Sequence, residues 1–327
     1  MSAPLLEVRN LDVTFSTDRG TLRALEGVSF TLGRGESMGL VGESGSGKST
    51  TAYALMRLLT GNGAVSGGQA LLDGDDLLRM PDAALRAARW QRIAMVFQNA
   101  MTAMNPVLRI GDQLADALQQ HVPMRRAEAL AQARAMFARV GLPPSRLMQY
   151  PHEFSGGMKQ RAVIALALIC APSLLLADEP TTALDVIAQR QVLQLLVRLK
   201  SELGLALILI SHDISAVAET CGRVAVMYAG QIVEQGPTRP MFREPRHPYT
   251  RALVAAVPSL HTRALATIEG SAPDLTQPVA GCRFAPRCPI AAPVCGEVAP
   301  PVVELDGGRS VRCHFAAGPA SGLPRAA

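Results

Sequence analysis

The chain has 327 residues, of which 48% are hydrophobic and 18% charged, and it carries a net charge of +5. That length suffices for one large core plus a smaller domain, and the positive excess is scattered without aromatic interleaving, which argues against a nucleic-acid partner. The longest apolar run, Ala162 to Ala177, is broken by Pro172 and Ser173 and falls short of the roughly 20 residues a membrane span requires.

Val8, Leu11, Val13 and Phe15, then Val28, Phe30 and Leu32, alternate as two strands of a half-buried antiparallel sheet. Ser37 to Val41 is a short apolar strand that feeds a glycine-rich loop, Gly42-Glu43-Ser44-Gly45-Ser46-Gly47-Lys48-Ser49-Thr50, and Lys48 to Leu59 reads as a helix. Ile93 to Phe97 is a buried strand. From about Asn99 to Ala165 the pattern is helical, with Leu130, Ala133, Phe137 and Val140 at helix spacing and Gly141, Pro143 and Pro144 as a stop. Strand and helix then alternate. Leu174 to Ala177, Leu205 to Ile210 and Val224 to Tyr228 are strands, and Val192, Leu195, Leu196 and Leu199 mark one face of a helix ending near Gly204. Such alternation predicts a mostly parallel sheet with helices on both faces. Pro258 to Ala280 lacks a period and reads as a linker.

The loop at 42–50 matches G-x-x-x-x-G-K-[ST], a phosphate cradle. Its glycines allow a tight turn that points backbone N–H groups at phosphates, and the helix starting at Lys48 adds its positive end. Lys48 is expected to reach the β and γ phosphates, and Ser49 to ligate Mg²⁺. Asp178 and Glu179 end an apolar strand, and two adjacent carboxylates there are costly to hold unless they meet a metal or a partner.

Phe154-Ser155-Gly156-Gly157-Met158 follows the loop by about a hundred residues, and Asp178-Glu179, Leu184-Asp185 and Ser211-His212 come after it. Five elements in this order resemble the ATP-binding cassette (ABC) ATPases. The resemblance implies an ABC nucleotide-binding domain over 1–258 with a mostly parallel sheet core, an antiparallel β subdomain and a helical subdomain at about 99–165. It implies Phe15 as the adenine-stacking aromatic. Asp178 would hold Mg²⁺ through water, Glu179 would be the general base, and Gln98 would touch both Mg²⁺ and the lytic water. His212 would contact the γ-phosphate. Ser155, Gly156, Gly157 and Asp185 would act on ATP held by an opposite subunit, so the working unit would be a dimer.

Phe97-Gln98-Asn99-Ala100-Met101-Thr102-Ala103-Met104-Asn105-Pro106, Tyr150 to Arg161, and His247-Pro248-Tyr249-Thr250 resemble the D-type ATPase subunits of dipeptide and oligopeptide importers. That resemblance runs from about Leu5 to Phe315. It implies an F-type ATPase partner, two membrane permeases and an extracytoplasmic binding protein, at the cytoplasmic face of the membrane. The permeases would dock near Gln98–Pro106. Nickel and glutathione importers use similar subunits, and a non-transport ABC ATPase acting on nucleic acid is a further alternative.

The start of the chain lacks a basic region followed by an apolar stretch, and a cytosolic chain is expected to keep its six cysteines as thiols or ligands rather than disulfides. Cys282, Cys288, Cys295 and Cys313 fall in a Cys-rich C-terminal domain at 281–327, after a linker at 259–280. Four cysteines in so short a segment suggest a metal site, with disulfides and unligated thiols as alternatives. Tails of this pattern in peptide importer subunits resemble ones that hold a [4Fe–4S] cluster, with zinc as the other metal. Cys170 and Cys221 read as core residues.

Overall fold

The computed structural model describes residues 3–98, 103–257 and 268–316. Its first half runs β1 (Leu6–Thr17), β2 (Gly20–Leu32), β3 (Ser37–Val41), α1 (Lys48–Leu55), β4 (Gly63–Leu72), β5 (Asp75–Asp76), α2 (Asp82–Gln91), β6 (Ile93–Val96), α3 (Ile110–His121), α4 (Arg126–Arg139) and α5 (Gly156–Leu168). The second half runs β7 (Leu174–Asp178), α6 (Val186–Leu203), β8 (Ala206–Ile210), α7 (Ile214–Thr220), β9 (Arg223–Tyr228), β10 (Gln231–Pro237), α8 (Thr238–Arg243), α9 (Pro248–Ala255), α10 (Pro293–Glu297), β11 (Val302–Leu305) and β12 (Arg309–Arg312). Two compact units result. One, named the signature unit for the Ser155-Gly156-Gly157-Met158 motif it carries, takes residues 1–5, 32–37 and 79–210; the other, the phosphate-loop unit, takes 6–31, 38–78 and 211–327.

In the signature unit β6, β7 and β8 lie parallel, Ile93 beside Leu174 and Leu174 beside Ala206. All three strands are buried along their length, as strands covered on both faces must be, and this is why they read as unbroken apolar runs. Helix α6 buries Val192, Leu195, Leu196 and Leu199, the stripe its spacing predicts. Helix α4 buries Ala129, Ala133, Met136 and Phe137. It stops where Gly141 turns left-handed at φ 73°, with Gly141 N–H donating to Ala138 O at 3.0 Å and Leu142 N–H to Phe137 O at 2.9 Å. That is a Schellman ending.

In the phosphate-loop unit a four-stranded sheet runs in the order β2-β1-β4-β5, with β4 antiparallel to β1. Strands β3 and β9 are parallel, but β10 and β12 continue antiparallel from β9, and β11 pairs antiparallel with β12. The sequence reading of a mostly parallel sheet misses this. Ala229 and Gly230, at φ 46° and 83°, join β9 to β10 in a two-residue turn that only an antiparallel pair can use.

Helix α1 also ends four residues before the predicted Leu59. Arg57 takes φ 48°, and Leu58 N–H reaches back to Tyr53 O at 2.8 Å, a Schellman ending built without glycine. Among the described residues the tail from 281 builds a small cluster of Val311, Cys313 and Ala316 with Val303 and Leu305 against it. Among the described residues no helix is long and apolar enough to cross a membrane. Asn99 to Thr102, part of the predicted docking motif, and 258–267, part of the predicted linker, lie outside the described residues, as does 317–327.

Candidate active site

In the phosphate-loop unit the glycine loop joins β3 to α1. Gly42, Gly45 and Gly47 have φ of 152°, 77° and 102°. A Cβ at Gly42 would stand 2.1 Å from the Met227 carbonyl oxygen, and one at Gly47 2.6 Å from Leu25 Cδ2. The loop therefore closes only with glycine at these points. Lys48 is 6% exposed. Its Nζ donates to Gly42 O at 2.9 Å, Glu43 O at 2.8 Å and Ser46 Oγ at 3.3 Å. A nearly buried ammonium beside these oxygens at a helix N-terminus suits a polyanion. Ser44 and Gly45 are exposed at its rim, and Ser49 and Thr50 are half-buried in the first turn of α1.

Phe15 lies opposite Gly63 on β4, and a Cβ on Gly63 would strike its ring at 2.5 Å, so the ring rests on the bare glycine backbone. His212 is exposed. It follows Ser211, whose N–H donates to Leu40 O in β3 at 3.2 Å, and precedes Asp213, which caps α7 by accepting from Ser215 and Ala216 N–H.

In the signature unit Asp178 is fully buried at the end of β7. Glu179 follows at φ 46°, a left-handed conformation uncommon outside glycine and seen at sites under functional constraint. Its N–H donates to Ile210 O at 2.9 Å. Its Oε2 accepts from Gln98 Nε2 at 3.1 Å and from Thr182 Oγ1 at 3.0 Å. The structure thus brings together Gln98 and Glu179, singled out separately in the sequence, and adds Thr182, for which the sequence reading had no signal.

Ser155 caps α5 by accepting from Met158 N–H at 3.4 Å, and Asp185 caps α6 by accepting from Ala188 N–H at 2.8 Å. Both residues, with Gly156 and Gly157, line one cleft of about 640 Å³ that Arg146 and Arg161 also border. Two helix N-termini and two guanidinium groups around one open cleft suit an anionic ligand. Beside it Val186 and Ile187 are 80% and 72% exposed.

The four tail cysteines come into one neighbourhood. Cys282 N–H donates to Cys295 O at 2.7 Å, and a Cβ at Gly281 would meet Cys295 O at 2.2 Å, so only glycine permits that approach. Burial pushes the Cys288 thiol up to about 11, and the nearby Cys282, Cys313 and Cys295 add to the shift. Burial likewise raises Cys282 and Cys313. Among the described residues no group of three or more His, Cys, Asp or Glu side chains is arranged to hold a metal ion. Cys221 is buried as expected, whereas Cys170 is only partly so.

The ABC transporter family model matches residues 25–182, and the model of the oligopeptide/dipeptide transporter C-terminal region matches 233–295. The chain is 47% identical over 313 residues to the oligopeptide transport ATP-binding protein OppD of Salmonella typhimurium, covering 94% of this chain and 93% of that one. It is 46% identical over 314 residues to the dipeptide transport ATP-binding protein DppD of Bacillus subtilis, covering 94% of each. Among solved structures, it is similar to the dimeric post-hydrolysis state of the ATP-binding cassette MJ0796 bound to ADP and Pi, at 27% identity and a TM-score of 0.64, over 72% of this chain and 99% of that one. It is also similar to cbiO1 of Clostridium perfringens, part of the ABC transporter complex cbiONQ, at 26% identity and a TM-score of 0.63, over 74% and 92% of the two chains.

Proposed function

The chain belongs to the ATP-binding subunits of peptide ABC transporters, and from that premise we propose how its residues hydrolyse ATP to drive uptake of di- and oligopeptides. It is an ATPase, the peripheral nucleotide-binding subunit of a membrane importer. The loop Gly42–Thr50 binds the phosphates, with Lys48 on the β and γ groups, and Phe15 stacks on adenine. Ser49, Gln98 and Asp178 offer a hydroxyl, an amide and a carboxylate, an all-oxygen set that suits Mg²⁺. When bound, that ion neutralises phosphate charge. Glu179 takes the proton from the attacking water, Gln98 orients that water and His212 contacts the γ-phosphate. Ser155, Gly156, Gly157 and Asp185 grip the nucleotide of the opposite subunit.

The observation that carries this reading is the Glu179 carboxylate, held by Gln98 and Thr182 at 3.1 and 3.0 Å. A base fixed by two donors is oriented before substrate arrives. Glu179→Gln is expected to bind MgATP as the wild type does while hydrolysing it about 10²–10⁴-fold more slowly. Hydrolysis at the wild-type rate would remove Glu179 from this role.

The partners we infer are an F-type ATPase subunit, two permeases that dock near Gln98–Pro106, and an extracytoplasmic binding protein, at the cytoplasmic face of the membrane. The names of the relatives favour peptides over nickel or glutathione. For the segment 281–327 we propose a Cys-rich structural domain whose four cysteines ligate an iron–sulfur cluster. Their gathering around Cys288 and the Cys282–Cys295 backbone bond support this. Anaerobic purification followed by iron, sulfide and zinc analysis decides between about four irons per chain, zinc, and no metal.

A further inference from the structure

The tail grips the phosphate loop through one arginine. Arg287, 5% exposed in its side chain, lies in the 3-10 turn Ala285–Arg287 between Cys282 and Cys288. Its Nη1 and Nη2 donate to the two carboxylate oxygens of Glu43 at 2.8 and 2.9 Å. The same nitrogens donate to Tyr228 Oη at 3.2 Å and Ile268 O at 3.1 Å, and Nε donates to Glu269 O at 2.9 Å. A guanidinium has five N–H donors, and these five bonds account for all of them. Its carbon stands 5.7 Å above the Tyr228 ring and 6.0 Å above that of Phe284. Such complete coordination is far more than a surface ion pair receives.

Glu43 is the second residue of the phosphate loop, and its backbone is tied at the same point. Its N–H donates to Tyr249 Oη at 2.9 Å, and its carbonyl accepts from Lys48 Nζ at 2.8 Å. Tyr249 packs on Tyr228 and Phe284 with ring centroids 4.6 and 5.3 Å away. A second tail arginine, Arg283, hydrogen-bonds Ala229 O and Glu26. A carboxylate on a loop that binds phosphates opposes its own ligand unless a cation offsets it.

We propose that Arg287 is a positioning residue of the ATP site, neutralising Glu43 and fixing the backbone from which Lys48 is presented to the phosphates. The proposal rests on the loop at 42–50 being that site. The segment bearing the four cysteines is thereby part of the nucleotide-binding apparatus.

The test is MgADP titration of the full chain by calorimetry, with steady-state hydrolysis alongside. Arg287→Gln leaves Glu43 uncompensated and is expected to weaken MgADP binding by about ten-fold, raising KM for ATP while kcat stays within about two-fold. Removing the opposing carboxylate as well, in Glu43→Gln/Arg287→Gln, is expected to recover most of that loss. A purely structural role would make the double variant no better than the single. Arg287→Lys keeps the charge but loses the two-point fork on Glu43, so it is expected to weaken binding by about three-fold, less than Arg287→Gln does; this variant serves if Arg287→Gln does not fold. Unchanged affinity in folded Arg287→Gln, no recovery in the double variant, or a ten-fold loss in Arg287→Lys overturns the proposal. A wild-type chain that binds no MgADP would instead overturn the site on which it rests.

Discussion

At the scale of single residues, the phosphate loop is tightly constrained. Gly42 combines φ 152° with a Cβ position 2.1 Å from Met227 O, so Gly42→Ala must move the loop away from β9. Calorimetry is expected to show MgATP affinity falling by at least about ten-fold. The loop was legible in the sequence because its whole requirement, glycines at fixed offsets from a lysine, lies within nine neighbouring residues. The pairing of Glu43 with Arg287 spans 244 residues, and no local pattern announces it. Thr182, placed on Glu179, was hidden for a different reason: a threonine four residues past a strand end has many ordinary uses.

At the scale of elements, the tail strand β12 is fastened by a buried ion pair. Glu234 on β10 is 0% exposed and accepts from Arg309 Nη2 at 2.8 Å and from the N–H groups of Arg246 and His247 at 3.0 Å each. Removing one partner of such a pair strands the other charge, so Arg309→Met is expected to cost about 3–5 kcal/mol, read from urea unfolding. The same corner holds a pH-sensitive cap. His247 starts α9 with Nδ1 accepting from Tyr249 N–H at 3.0 Å, and burial pulls its pKa from 6.5 to about 3. Its folded value lies below its unfolded one, so the unfolded chain binds the extra proton. The neutral cap is fully effective above pH 6.5 and is lost progressively as pH falls from there toward 3. His247→Asn keeps a capping acceptor and is expected to flatten the stability slope between about pH 6.5 and 5, before the carboxylates titrate; an unchanged slope would assign it elsewhere. The buried strands and the stripes of α4 and α6 were readable from period alone. Strands β10, β11 and β12 were not: the short VVEL segment is exposed or half-buried, and the buried RSVR segment is half arginine, so neither carries an apolar signal and both are held by distant partners.

At the scale of the whole molecule, the proposed function makes the cleft at Ser155 and Asp185 a surface for a second subunit. Ser155 and Asp185 line it beside the exposed Val186 and Ile187, which fits use by a second subunit. Because the serine's cap on α5 is a long 3.4 Å bond, Ser155→Ala is expected to leave melting nearly unchanged and MgADP binding to the chain's own loop intact. Hydrolysis, which on the proposed reading needs an opposed subunit, is expected to fall by at least about ten-fold. Membership in the family was written across nearly the whole chain, whereas the tail's mode of attachment needed coordinates.

The most direct measurement is peptide uptake in vesicles holding the complete importer, with permeases, second ATPase subunit and binding protein, comparing wild type with Glu179→Gln. Peptide-stimulated ATP hydrolysis and uptake in the wild type, both lost in the variant while MgATP still binds, is the predicted result. ATP hydrolysis indifferent to peptide, or uptake that persists in Glu179→Gln, would contradict the assignment.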